Sequence, residues 1–433
     1  FIFGQKGADT PNSVLLLAQY QSDEQGFGAM PSRYSSNTTT ARQTQRTPQL
    51  LLGFHLAHGA NSNTRMLLQY GKSNLDASLF PGQTIFDDVR SYNLELRHDH
   101  LWHERHLLSF GFSYGQRIFD DNTFFPGPPF GTQLVNRKEI HPLQLYARDE
   151  FQAGRQLKLT GELKLERLEY EQLLKIQVGP FPPMLRQMQD RTTQVLPTLI
   201  ADYRPNDRTG LKLRLRKLMG TINDFELLAP RDQFLFSFND LPQPKVFNAD
   251  DSQFVTGKSF EFEINHTLRN GSLLRLGLFQ QNLDKAQQSA LSPQAGEDAV
   301  DARIRGLRLG VEGALNRQMT YFLNLGLNDA RGQFTGGPGK FANVPDFVAS
   351  AGLQYLNDHG YFVQPTYFYL DKRLRVDGTT ASSAQIINLR VGKRFGVRSA
   401  IFVEVANILN ENYEAFQEIQ PGRQLRFGGQ FRF

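Results

Sequence analysis

The chain has 433 residues, no cysteine and a formal net charge of +5. Disulfides, thiol catalysis and Cys-ligated metals are thereby excluded. The charges are intermixed with no basic block, which argues against nucleic acid as a partner. No run approaches the ~18 consecutive apolar residues of a membrane helix, but a membrane barrel needs only ~9–11 alternating residues per strand and stays open.

Alternating segments recur from end to end, and alternation of period two is the signature of a strand with two unlike faces. In chain order they are Val14–Tyr20, Gln49–His58, Arg65–Ser73, Tyr92–Leu101, Leu107–Gln116, Ile140–Phe151, Gln156–Tyr170, Thr193–Tyr203 and Gly210–Leu218. Phe254–Leu268, Ser272–Leu283, Ala302–Leu315, Met319–Asn328, Asp346–Leu356, Tyr361–Lys372, Gln385–Phe395, Ser399–Leu409 and the terminal Gly422–Phe433 complete the set. The cleanest is Gln156–Tyr170, where Leu157, Leu159, Leu163 and Leu165 oppose Lys158, Glu162, Lys164 and Glu166. Pro142, Pro197 and Pro365 fall inside segments, where each removes a ladder hydrogen bond and predicts locally weak pairing.

The connections alternate between short and long. Short ones include His103-Glu104, Ala153-Gly154, Asn270-Gly271, Asn316-Arg317 and Gly396-Val397, several with residues suited to tight hairpins. Long ones include residues 22–47, 74–89, 117–139, 171–192, 219–253 and 284–301. Short turns at one end and long loops at the other describe an outer-membrane barrel. The expected fold is all-β: a transmembrane antiparallel up-and-down β-barrel of about 18 strands (roughly 16–22), with short periplasmic turns and long extracellular loops. Residues 1–12 read as an N-terminal linker and 13–433 as a single barrel domain. The expected location is the bacterial outer membrane. Expected partners are the lipid bilayer, lipopolysaccharide and the barrel-assembly machinery, with no cofactor.

The polar faces predict a charged lumen. Its expected lining includes Arg97, Lys158, Lys164, Lys212, Arg214, Arg216, Arg275, Arg308, Arg390, Arg394, Arg426 and Arg432. The long loops carry aromatics, among them Phe80, Phe124, Phe125, Phe130, Phe181, Phe234 and Phe236, which would contact a ligand or partner, constrict the pore or pack as a rim. His98, His100, His103 and His106 gather around Trp102, the single tryptophan. Because His98 and His100 share a face with Leu94 and Leu96, they read as interfacial anchors in preference to metal ligands. No nucleophile triad, Walker motif, dinucleotide fingerprint or HExxH occurs, so an enzyme is not expected.

Near the C-terminus, Ile401-Phe402-Val403-Glu404-Val405-Ala406-Asn407-Ile408-Leu409 and Tyr413 are followed by Pro421-Gly422-Arg423 and a final Phe433. This run resembles the end of TonB-dependent receptor barrels. The resemblance implies that Phe433 acts as an assembly signal. It also implies a plug domain and about 22 strands. About a dozen residues precede the first alternating segment, so a plug or periplasmic partner is expected on another chain or a missing segment. Three functions follow as expectations. The first is a transport pore that passes a polar solute or polymer through a charged lumen, filtered by aromatic loops. The second is a plug-dependent nutrient uptake receptor, and the third an occluded barrel that anchors or binds a partner protein.

Overall fold

Strand formation follows the alternation. In a computed structural model of the chain, each of the eighteen alternating segments falls on a long strand. The structure describes residues 2–6, 12–26, 42–78, 84–125, 131–221, 254–287, 299–334, 337–340, 344–374, 378–396, 399–411, 414–415, 418–419 and 422–431. No helix occurs among them.

The chain forms two compact units. The first holds β1 (Ile2–Lys6), β2 (Ser13–Gly26), β3 (Arg42–Ala57), β4 (Ser62–Ser78), β5 (Thr84–Trp102), β6 (His106–Phe125), β7 (Thr132–Gln152), β8 (Leu157–Val178) and most of β9 (Met184–Asn206). Consecutive strands from β1 to β8 pair antiparallel as a meander. Ile2–Lys6 corrects the linker reading, because it pairs with Ser13–Leu17.

The second unit holds β10 (Thr209–Thr221), β11 (Phe254–Thr267), β12 (Leu273–Gln287), β13 (Ala299–Ala314), β14 (Met319–Phe334), β15 (Gly337–Lys340), β16 (Phe347–Leu356) and β17 (Tyr361–Leu370). It continues with β18 (Arg373–Leu374), β19 (Thr380–Ala381), β20 (Ala384–Phe395), β21 (Ser399–Ala406), β22 (Glu414–Ala415), β23 (Glu418–Ile419) and β24 (Gln424–Phe431). Its long strands again pair in antiparallel succession, from β10 through β14, β16, β17, β20 and β21 to β24.

The tight turns sit where the sequence placed them. His103 and Glu104 both adopt positive φ (50° and 56°), as a two-residue hairpin turn requires. The long connections of the first unit are shorter than the alternation suggests. β8 runs to Val178 and β9 starts at Met184, so most of residues 171–192 is strand. The reason is physical. Alternation is strong only where one face is apolar and the other polar, and these strand ends mix apolar and polar residues on both faces (Leu173 and Leu174, Lys175 and Ile176) while the backbone ladder continues. Two of the prolines act as expected. Pairing of β6 with β7 lapses between Tyr114↔Leu143 and Arg117↔Ile140, beside Pro142. That of β16 with β17 lapses between Gly352↔Thr366 and Tyr355↔Val363, beside Pro365.

One face of each long strand is apolar and exposed, the other polar and more buried. On β8, Leu163 is 57% exposed while Glu166 on the opposite face is 6% exposed. An antiparallel sheet in water buries its apolar face. An apolar face left outward, with the charges turned inward, is the arrangement a lipid solvent favours.

Candidate functional site

The polar faces carry an ordered wall of ion pairs near the short turns. In the first unit, Arg97 donates to Asp99 at 2.7 Å and to Ser109 at 3.2 Å, and Ser109 donates to Asp99 at 2.6 Å. Lys158 pairs with Glu150 at 3.1 Å, and Lys164 with Glu166 at 2.9 Å. In the second unit, Arg214 and Arg216 both donate to Glu261, at 2.8 and 2.5 Å. Arg275 pairs with Glu312 at 2.6 Å. Arg390, Glu404 and Arg426 stand directly opposite one another on β20, β21 and β24. Arg390 Nε donates to Glu404 at 2.7 Å, and Arg426 lies 3.6 Å from the same carboxylate.

The sequence missed the other component of this wall, rings laid across glycines. Phe279 faces Gly306, Phe322 faces Gly352, Phe362 faces Gly392 and Phe402 faces Gly428, each pair in direct register. Tyr146 covers Gly111 in the first unit. A methyl group on any of these glycines would overlap the ring opposite. Such pairs fix register and hold bulky rings flat on the sheet. Arg308 lies 4.2 Å over Phe279, Arg390 4.6 Å over Phe402 and Arg394 5.9 Å over Phe362, within cation–π range. Lys212 stands opposite Glu263 in the β10–β11 register. A signal existed in sequence, an aromatic on the polar face of one strand and a glycine on the next, but only the register makes them partners.

Towards the long connections the polar face changes character. Ile140, Leu168 and Tyr170 are buried on it in the first unit. In the second unit Leu283, Ile304 and Ala330 are buried, and so is Gln281, whose amide has no hydrogen-bond partner among the described residues.

The remaining candidates separate. His98 bonds Ser62 and Thr64, His106 bonds Asp149 and stacks on Phe151, and Trp102 packs against His103 and His106. His100 lies opposite Leu108 on the apolar face. Among the described residues no group of three or more His, Cys, Asp or Glu is placed to hold a metal. Of the aromatics, Phe124 and Phe125 lie at the end of β6, and Phe181 is exposed in the turn after β8. Phe80, Phe130, Phe234, Phe236, Arg432 and Phe433 fall outside the described residues.

Comparison with known proteins agrees with this architecture. The model of the family described as TonB dependent receptor-like, beta-barrel matches residues 3–408. Among solved structures, the closed form of the ferric-catecholate import receptor Fiu from E. coli has a TM-score of 0.73 at 12% identity, covering 99% of this chain and 73% of that one. The ferric yersiniabactin uptake receptor FyuA from Yersinia pestis gives 0.76 at 13% identity, covering 99% and 69%. The siderophore receptor PiuA from Acinetobacter baumannii gives 0.73 at 12%, covering 98% and 72%. No curated protein sequence matches. With its apolar strand faces turned outward and its charges inward, the chain belongs to the TonB-dependent receptor-like β-barrel family, a family of receptors and not of enzymes, whose place is the bacterial outer membrane.

Proposed function

We propose that the chain is the barrel of an outer-membrane uptake receptor for a scarce nutrient carried as a bulky complex, such as a metal chelate. The strands from Ile2 onward form one barrel domain in this reading, and the charged polar faces line its lumen. The observation that carries it is the ion-paired wall, which holds Arg97 on Asp99, Arg214 and Arg216 together on Glu261, and Arg390 and Arg426 together on Glu404. Charges ordered in this way suit a lumen that receives a folded polar domain, because polar groups buried at such a contact must be held against partners. The buried apolar zone around Leu283 and Ile304 favours this over an unobstructed aqueous pore. The family match and the likeness to receptors named for ferric-catecholate and ferric yersiniabactin uptake add weight. The open transport pore filtered by aromatic loops therefore gives way to the uptake receptor as the leading reading.

The test uses the protein as its gene encodes it, in cells stripped of their own chelate receptors. A panel of radiolabelled ferric chelates is supplied under iron limitation. Uptake of at least one chelate should saturate and should vanish when the inner-membrane TonB protein is deleted. Linear, TonB-independent entry of small solutes would instead identify an open pore.

A further inference from the structure

The rings laid across glycines are not spread evenly over the wall. In the second unit, Phe279–Gly306 ties β12 to β13, Phe322–Gly352 ties β14 to β16, Phe362–Gly392 ties β17 to β20 and Phe402–Gly428 ties β21 to β24. Each of these strand pairs is joined by a long connection, over residues 288–298, 335–346, 371–383 and 407–423. The same unit has four pairs joined by short turns: β11–β12, β13–β14, β16–β17 and β20–β21. In those pairs no described glycine has a ring of the strand across the turn among the atoms that an added methyl group would meet first.

The first unit repeats the rule. Tyr146–Gly111 ties β6 to β7, which are joined over residues 126–131. The remaining loop-joined pair of the second unit, β10–β11, is clasped by charge instead, with Arg214 and Arg216 of β10 on Glu261 of β11.

This division has a physical reason. A tight hairpin turn fixes the register of the strands it joins. A long loop does not, because its closure entropy varies slowly with length and a shift in pairing costs it little. The smallest slip that keeps apolar and polar residues on their proper faces is two residues. At that slip Phe279 would face Ile304 or Arg308, and Phe322 would face Ser350 or Gln354. Phe362 would face Arg390 or Arg394, and Phe402 would face Arg426 or Gln430. Every one of these positions carries a side chain where the ring needs bare backbone. The four rings also stand in the half of their strand nearer the short turn, where the long connection has least hold.

We propose that Phe279–Gly306, Phe322–Gly352, Phe362–Gly392 and Phe402–Gly428 are register locks for strand pairs whose connection cannot set their register. Such locks free the long connections to vary in sequence and length without misaligning the charged wall below them. The inference concerns strand pairing alone and does not rest on the uptake reading.

The experiment reads register by disulfide cross-linking in the cysteine-free background, in the protein as its gene encodes it, folded into lipid vesicles. Val363→Cys with Val391→Cys reports the native pairing of β17 with β20. Val363→Cys with Leu389→Cys or with Lys393→Cys reports a slip of two residues in either direction. With Phe362 present, only the native pair should cross-link. Phe362→Ala should raise the slipped product about tenfold, the weight of one aromatic cross-strand contact. Tyr361→Ala removes a ring from the other face of the same strand pair, opposite Lys393 and not a glycine, and should leave the register native. Replacing residues 371–383 with Asn-Gly turns Leu370 and Ala384 into the ends of a two-residue hairpin, and there Phe362→Ala should no longer slip. Native cross-linking alone in the Phe362→Ala protein would overturn the proposal. So would equal slippage in the Tyr361→Ala protein, or slippage that persists with the tight turn in place. Phe362→Leu takes the place of the alanine variant if that one does not fold, and the comparison with Tyr361→Ala decides if the shortened protein does not.

Discussion

Replacing Glu261 with Leu should destabilise the protein by about 2–4 kcal/mol. This carboxylate accepts from Arg214 at 2.8 Å, from Arg216 at 2.5 Å and from Ser259 at 3.1 Å. The Glu261 and Arg214 side chains are only 13% and 15% exposed. Removing the acid leaves two guanidinium groups on the same face of β10, two residues apart, with no carboxylate between them. Stranding a largely buried charge costs more than a pair is worth, because the desolvation of the survivors is no longer offset. Arg216 is 28% exposed, so solvent moderates its share and places the effect towards the lower end of the range. Urea unfolding midpoints of protein refolded into lipid vesicles provide the measurement. Glu261→Gln should lose less, because the amide oxygen still accepts one hydrogen bond. Adding Arg214→Leu and Arg216→Leu to the Glu261→Leu protein should recover part of the loss. A Glu261→Leu protein as stable as wild type would show that this triad does not brace the wall.

The second large effect belongs to the opposite face. Leu163 lies mid-strand on β8, is 57% exposed and stands among Leu159, Leu165 and Leu145. Leu163→Arg should cost about 2–4 kcal/mol, the range for a basic residue at the midplane of a bilayer on the lipid face of a barrel. Glu162→Gln, one residue away and turned to the polar face, should cost less than about 1 kcal/mol. The contrast carries the meaning, because on a soluble protein an exposed Leu→Arg change would be nearly neutral. Similar values for the two variants in vesicles would contradict the assignment of faces.

Much of this architecture was legible in the residues. Leu157 to Leu165 against Lys158 to Glu166 announces a two-faced strand, and the terminal stretch behaves likewise, with Leu425 and Phe427 60% and 76% exposed on one face of β24. The turns declared themselves through pairs such as Asn270-Gly271, where Gly271 takes a φ of 82°. What stayed hidden depends on register. Phe279 and Gly306, like Phe322 and Gly352, lie on separate strands and become partners only when those strands are aligned. The same holds for Phe402 on Gly428 and for Glu404 between Arg390 and Arg426. Ile2–Lys6 was unreadable for another reason: five residues give too short a pattern to outweigh a linker. The strand ends beyond the leucine band were lost because apolar and polar residues mix on both of their faces, as at Leu173, Leu174, Lys175 and Ile176.

The central claim is that one face of every long strand meets lipid and the other meets the lumen. The absence of cysteine allows a direct test, because single cysteines can be introduced without background. Spin labels placed one at a time from Leu157 to Leu168 on β8, in protein reconstituted into vesicles, report collisions with oxygen, which concentrates in lipid. Oxygen accessibility should rise at Leu159, Leu163 and Leu165 and fall at Lys158, Glu162 and Lys164, repeating every second residue. A profile with no alternation, or with its maxima on the lysine face, would contradict the account.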